Sequence, residues 1–270
     1  MKLTVLVENT TSHGRLLAEF GWSVLIEDDM GSSLLFDTGG GHTIEHNAKI
    51  LGKDLSKLEA IILSHHHYDH TDGLAQVLKH TGSIPVYTHP HLFKESYSDG
   101  GFIGQKHSQA YLESLGAHFI FSDSFKEIHP DFYLSGEIEK TTDFEKGDTS
   151  LVIKNGDLMV QDQLRDDQYL VIKTPEGLVL ILGCAHTGLI NTLNHVIKNT
   201  GEKRIRYLIG GTHLGPASKE QREKTYEALK DFEIENIGVS HCTGGEAAYE
   251  LKKIYGDKFF NCNVGKEIKI

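Results

Sequence analysis

The run His65-His66-His67-Tyr68-Asp69-His70 places four imidazoles and one carboxylate in six consecutive positions. Imidazole nitrogen and carboxylate oxygen are donors that suit Zn(II), and also Mn(II) or Fe(II). If the backbone stays extended past Leu63, alternate side chains share a face. His65 and His67 can then meet one ion, while His66 and Tyr68 point elsewhere. A turn into a helix swings Asp69 and His70 to a new angle, toward a second ion. Such a pair of ions serves hydrolysis or group transfer. One lowers the pKa of a bound water from about 16 to about 7, and the other, about 3.5–4 Å away, offsets charge on the electrophile and leaving oxygen. The competing reading is a surface histidine tract that binds metal adventitiously. Such tracts seldom follow a buried strand.

The elements on either side position the cluster. Glu59-Ala60-Ile61-Ile62-Leu63 is a bounded apolar run and reads as a short buried strand. Thr71 to Lys79 reads as a helix with Thr71 or Asp72 as N-cap, which puts His70 near the positive end of a helix dipole and favours a neutral ring. The cluster thus falls at the C-terminal end of a strand, where α/β proteins gather their ligands.

The same design recurs three times downstream. Leu178 to Leu182, a continuous apolar run expected to be buried on both sides, ends in Gly183-Cys184-Ala185-His186 before a helix from Thr187 to Val196. Ile205 to Ile209 runs into Gly210-Gly211-Thr212-His213, then a helix from Glu220 to Phe232. Ile234 to Val239 runs into Ser240-His241, then a helix from Glu246 to Tyr255. Cys184 reads either as a thiolate ligand or as a small buried apolar side chain. His213 suits substrate contact or proton transfer, or else packs against its glycines. His89 and His91 also follow a strand (Ile84 to Tyr87) and either line a pocket or form a polar loop.

These motifs, with Phe36-Asp37-Thr38-Gly39-Gly40 ahead of them, resemble the metallo-β-lactamase superfamily. His65-His66-His67-Tyr68-Asp69-His70 matches its His-x-His-x-Asp-His signature. The set as a whole is most similar to the branch named for 7,8-dihydropterin-6-methyl-4-(β-D-ribofuranosyl)aminobenzene 5′-phosphate synthase, a pterin-joining activity. The resemblance implies an α/β fold layered as a four-layer αβ/βα sandwich. It implies two divalent metal ions, zinc foremost, on His65, His67, Asp69, His70, His186 and His241. His241 completes the Asp69/His70 site, and His186 completes or bridges the His65/His67 site. Asp37 is implied to orient a ligand imidazole without touching metal. The chain departs from the common pattern at Cys184 and His186, where many relatives carry a Gly-Asp whose carboxylate bridges both ions. It also has Asp166-Asp167-Gln168 where an earlier histidine would stand.

Composition narrows the substrate. The formal charge is −11 across 270 residues, and no block of Lys and Arg is present to neutralise a nucleic-acid backbone. A small-molecule substrate is expected, with no nucleic acid and no membrane. Three cysteines, Cys184, Cys242 and Cys262, without paired spacing argue against a disulfide framework and for a reducing cytoplasm. The chain opens on an apparent strand rather than a secretory signal. One domain over residues 1–270 is expected, with a less regular, aromatic-rich segment at about 92–147 that sets specificity.

The first functional expectation is a dinuclear metal-dependent hydrolase of a small anionic phosphate or diphosphate ester, acting through ion-activated water. The alternative is a transferase joining a dihydropterin methyl diphosphate to an aminobenzene ribofuranosyl phosphate. A redox or sensing metal protein ranks last, since relatives of that kind depend on a flavin module.

Overall fold

The computed structural model describes residues 1–270. Its contacts gather the chain into two compact units: Met1–Ser122 with Val152–Val160 and Asn263–Ile270, and Asp123–Leu151 with Gln161–Cys262.

The first unit is built on a seven-stranded sheet in the order Glu267–Lys269, Lys2–Val7, Ser23–Glu27, Ser33–Phe36, Ala60–Ile62, Ile84–Thr88, Ala117–Phe121. The pairings up to Ser33–Phe36 are antiparallel, and those beyond it are parallel. Parallel neighbours need crossovers, and these carry helices α1 (Ile44–Ile50), α2 (Tyr68–Thr71), α3 (Leu74–Thr81) and α4 (Gln109–Ser114). In α3 the apolar positions Leu74, Ala75, Val77 and Leu78 fall on one face and are buried. They pack with Ile44 and Ala48 of α1, Leu112 of α4, and Leu35, Ile61 and Val86 of the sheet. Residues in the opposite register, such as Leu34, Phe36 and Ile62, are buried as well. These strands therefore read as unbroken apolar runs rather than alternating ones. A small sheet, Leu158–Gln161, Val152–Asn155, Ser96–Ser98 and Gly101–Phe102, completes the unit.

The second unit repeats the plan. Its sheet runs Phe259–Asn261, Ile237–Ser240, Arg204–Gly211, Gly177–Leu182, Tyr169–Thr174, Phe132–Leu134, Lys126–His129. The first four strands are parallel and the rest antiparallel. Helices α5 (Leu189–Thr200), α6 (Lys219–Ala228) and α7 (Gly244–Tyr255) connect the parallel strands. Leu189, Leu193 and Val196 of α5 and Ala247 and Leu251 of α7 share a core with Leu180, Leu208 and Ile237. Every residue of Gly177–Leu182 is buried, as the apolar run requires.

Three local expectations need correction. The chain turns helical at Tyr68 rather than Thr71, and the helical stretch breaks at Gly73 before α3. Thr71 is therefore no N-cap: its hydroxyl donates back to the His67 carbonyl at 3.0 Å. His70 ends up in the last turn of a one-turn helix, not ahead of a long one. At the break the Gly73 N–H donates to the Gly39 carbonyl at 2.9 Å rather than along the helix, and a Cβ at Gly73 would stand 2.0 Å from the Thr38 carbonyl oxygen. The expected strand Ile234–Val239 is split into Glu233–Ile234 and Ile237–Ser240. Between them the Asn236 amide donates to the Arg206 carbonyl at 3.0 Å, competing with the ladder. The 92–147 segment, expected to be less regular, holds only short elements and is divided, the part up to Ser122 belonging to the first unit and the rest to the second.

Candidate metal centre

In the first unit, parallel strands bring three motif loops to one sheet edge. Asp37 follows Ser33–Phe36, the histidine cluster follows Ala60–Ile62, and His89 follows Ile84–Thr88. Asp37 holds a left-handed backbone, φ 56°, a strained conformation of the kind that gathers at functional sites. Its carboxylate is fully buried and fully used. Oδ1 accepts the Ser64 backbone N–H at 2.7 Å, and Oδ2 accepts the Ser64 hydroxyl and His70 Nδ1–H, each at 2.7 Å.

This pattern fixes two tautomers. His70 must carry its proton on Nδ1, which leaves the lone pair on Nε2. Ser64, having given its hydrogen to Asp37, accepts from His65 Nδ1 at 2.9 Å, which leaves the His65 lone pair on Nε2. That atom lies 3.1 Å from His67 Nδ1, so two ring nitrogens converge in a buried space. Asp69 Oδ2 lies 3.8 Å from His70 Nε2. A carboxylate behind each ligand imidazole is the usual support of a histidine–metal bond, and this donor set fits divalent ions.

The backbone of α2 is clamped to keep these angles. A one-turn helix leaves its carbonyls without partners of its own. The Asp69 carbonyl accepts from Trp22 N–H, the His70 carbonyl from the Thr38 N–H and hydroxyl, and the Thr71 carbonyl from the Gln105 amide. His89 and His91 pack edge-on against each other, ring centroids 4.6 Å apart.

In the second unit the loops after Gly177–Leu182, Arg204–Gly211 and Ile237–Ser240 carry Ala185, His213 and His241, and all three hold left-handed backbone, φ 55°, 48° and 50°. His186 and His241 are buried. The His186 and His213 rings meet at 4.1 Å. The turn carrying His186 is held from below by Asp167, whose carboxylate accepts the Thr187 backbone N–H at 2.8 Å. Burial pushes the Asp167 carboxyl up to about 6, against that hydrogen bond.

His213 is bracketed by two groups. Its Nε2 lies 3.9 Å from Asp148 Oδ2, an ion-pair distance rather than a hydrogen bond. Its backbone N–H donates to the Cys242 sulfur at 3.3 Å. Burial disfavours the charged ring, but Asp148 and Cys242 outweigh it and raise the imidazole to about 9. Asp148 is held below the usual carboxylate range, first by His213 and then by Ser150 against the opposing effect of burial. Cys184, His213 and Cys242 bring donor atoms within 4.8 Å of one another. None of the three cysteines is in a disulfide.

Beside His186 and His213 lies a cavity of about 490 Å³, also lined by Lys146, Asp148, Ser218 and Gln221. No helix is long and apolar enough to cross a membrane.

The metallo-beta-lactamase superfamily model matches residues 17–241. This chain belongs to that superfamily. It is 33% identical over 267 residues to the 7,8-dihydropterin-6-methyl-4-(beta-D-ribofuranosyl)-aminobenzene-5′-phosphate synthase of Methanocaldococcus jannaschii, across 93% of this chain and 90% of the relative. That places it in the branch expected from its motifs. Among solved structures it resembles Tm1679, a metal-dependent hydrolase of the beta-lactamase superfamily, with 28% identity, a TM-score of 0.88, and coverage of 100% of this chain and 99% of that one. YhfI of Bacillus subtilis shares the fold at 15% identity and a TM-score of 0.61, over 99% of both chains. The fold is thus metallo-beta-lactamase, with mixed sheets and helices in each unit.

Several residues around these metallo-beta-lactamase motifs escaped sequence reasoning. Ser64 stands beside the cluster, and a hydroxyl next to a ligand histidine was a usable signal. Asp148 and Glu145 carried none, since only the folded loop brings them to His213 and α5. Asp167 stands out in the sequence only as a departure from the family pattern, and its support of the His186 turn comes from the fold.

Proposed function

We propose that this chain joins a dihydropterin methyl diphosphate to an aminobenzene ribofuranosyl phosphate. In that reaction the acceptor's aryl amine displaces diphosphate: an N–C bond forms to the methyl carbon as that carbon's bond to the diphosphate oxygen breaks, and the amine gives up a proton to solvent. The observation that carries the reading is 33% identity, across 93% of the chain, to a synthase named for the joined product.

The residues proposed to hold two divalent ions are His65, His67, Asp69 and His70 of the first unit and His186 and His241 of the second. Zinc suits this set, as do manganese and iron(II). Bound ions supply Lewis acidity that offsets the negative charge leaving with diphosphate. The rest falls to the chain. Asp37 and Ser64 keep the His65 and His70 rings in one tautomer and one orientation. His213, at the wall of the cavity, is assigned to substrate contact or proton transfer. A joining enzyme must keep water from the reacting carbon, and the cavity beside His186 and His213 is the place proposed for the organic acceptor.

A second reading is hydrolysis of a small phosphate or diphosphate ester. It is favoured by the 28% identity, over the full chain, to a protein described as a metal-dependent hydrolase. The two readings share one centre and differ in what attacks. Diphosphate release from a dihydropterin methyl diphosphate, measured with and without an arylamine acceptor, separates them. Release that depends on the acceptor supports joining. Release at the same rate without it supports hydrolysis.

A further inference from the structure

We propose that the cavity of the second unit seats a phosphomonoester, with Lys146, Ser218 and Gln221 as the groups that hold it. The inference deepens the joining reading and rests on it, because the acceptor of that reaction carries such a group.

The chain as a whole is acidic, at −11, so an anion needs a locally favourable place. The cavity provides one. Its volume, about 490 Å³, lies in the range of small-molecule sites. Its lining contains a single carboxylate, Asp148, and both oxygens of that group are already engaged. Oδ1 accepts the Ser150 backbone N–H at 2.9 Å and the Ser150 hydroxyl at 2.6 Å, and Oδ2 faces His213. Lys146 adds a lysine ammonium to this lining, beside the His213 imidazole that Asp148 already faces.

The first turn of α6 faces the same space. Ser218 Oγ accepts the Gln221 N–H at 3.1 Å, so the serine hydroxyl hydrogen is left to donate. The N–H groups ahead of Gln221 have no carbonyl within the helix, and the positive end of a ten-residue helix adds to the attraction for an anion. A lysine, a serine hydroxyl and an amide around a cavity without an uncompensated carboxylate form a phosphate-type set. A sugar phosphate with its phosphate on these groups would have its organic part toward His186 and His213, the side where the reaction is placed.

The loop that brings Lys146 here is built in. Glu145, one residue before, is buried, and its carboxylate accepts the N–H groups of Ile190 and Asn191, each at 2.8 Å, at the start of α5. Asn191 Oδ1 answers by accepting the N–H of Thr141 at 2.7 Å and of Thr142 at 2.8 Å. Gly188 makes room, since a Cβ there would stand 2.3 Å from the Glu145 carboxylate.

Calorimetric titration of the metal-loaded protein with ribose 5-phosphate, ribose and inorganic pyrophosphate tests the proposal. Wild type should bind ribose 5-phosphate and bind ribose at least about tenfold more weakly. Lys146→Ala should weaken ribose 5-phosphate by about ten- to hundredfold, the range for a lost charged hydrogen bond, and Lys146→Arg should restore most of it. Neither should move the thermal midpoint, because Lys146 is exposed. His67→Ala, checked for folding by circular dichroism, should weaken pyrophosphate and spare ribose 5-phosphate. Equal affinity in wild type and Lys146→Ala overturns the proposal. So does no binding of ribose 5-phosphate, or its loss in His67→Ala alone. If the binding pattern holds while acceptor-dependent product is absent, the joining reading fails and the phosphate site stands.

Discussion

Asp37 organises more of the histidine cluster than any other single side chain, since one buried carboxylate sets both His70 directly and His65 through Ser64. Asp37→Ala should lower metal affinity by about ten- to hundredfold, the usual cost of losing a support behind a ligand histidine. Competition with a chromophoric chelator measures this, and unchanged affinity would remove Asp37 from the account. Asp167 gives a prediction of opposite character. Its folded pKa, about 6, is raised above the unfolded value, so its favourable contribution is complete below about pH 4 and is lost as pH rises through 6. Asp167→Asn keeps an acceptor for Thr187 N–H and removes the titration. The variant should gain stability relative to wild type between pH 4 and 7, on the order of 3 kcal/mol at the upper end. Denaturant melts at several pH values give the answer, and a difference that does not change with pH would contradict it.

At the scale of elements, each unit aligns the C-terminal ends of parallel strands at one sheet edge and loads them with polar loops. The backbone must bend sharply there, hence left-handed Asp37, Ala185, His213 and His241. Gly73, in ordinary helical backbone, contributes differently, by allowing close approach to Thr38, next to Asp37. Gly73→Ala should destabilise the fold by about 1–3 kcal/mol, as overpacking does, and loosen metal binding with it. Chemical denaturation alongside metal competition would reveal either effect, and a neutral substitution would mean the loop yields more readily than its geometry implies.

Much of this was legible in the sequence because it is local. Ala60–Ile62 and Gly177–Leu182 announce themselves as short apolar runs, and the cluster does so by density alone. The break at Gly73 was not legible, because the Gly73 N–H goes to the Gly39 carbonyl, 34 positions away in a loop of its own. Glu145 and Asp148 were hidden for the same reason. A carboxylate in an irregular segment looks solvated until α5 and His213 are folded against it.

For the whole molecule, charge and fold point the same way. The chain carries −11 without a basic block, so the small anionic substrate proposed for it would have to be met by bound cations and a few placed donors. The superfamily supplies the fold and the metal-ligating residue types, while the identity of the reaction rests on the synthase relative. The most direct test is product mass. Metal-loaded wild type and His67→Ala, matched for folding, are given a dihydropterin methyl diphosphate and an aminobenzene ribofuranosyl phosphate. Wild type should yield the joined pterin product, and His67→Ala should yield it at a small fraction of that rate. No joined product from wild type, or equal amounts from both, would contradict the assignment of this centre to that reaction.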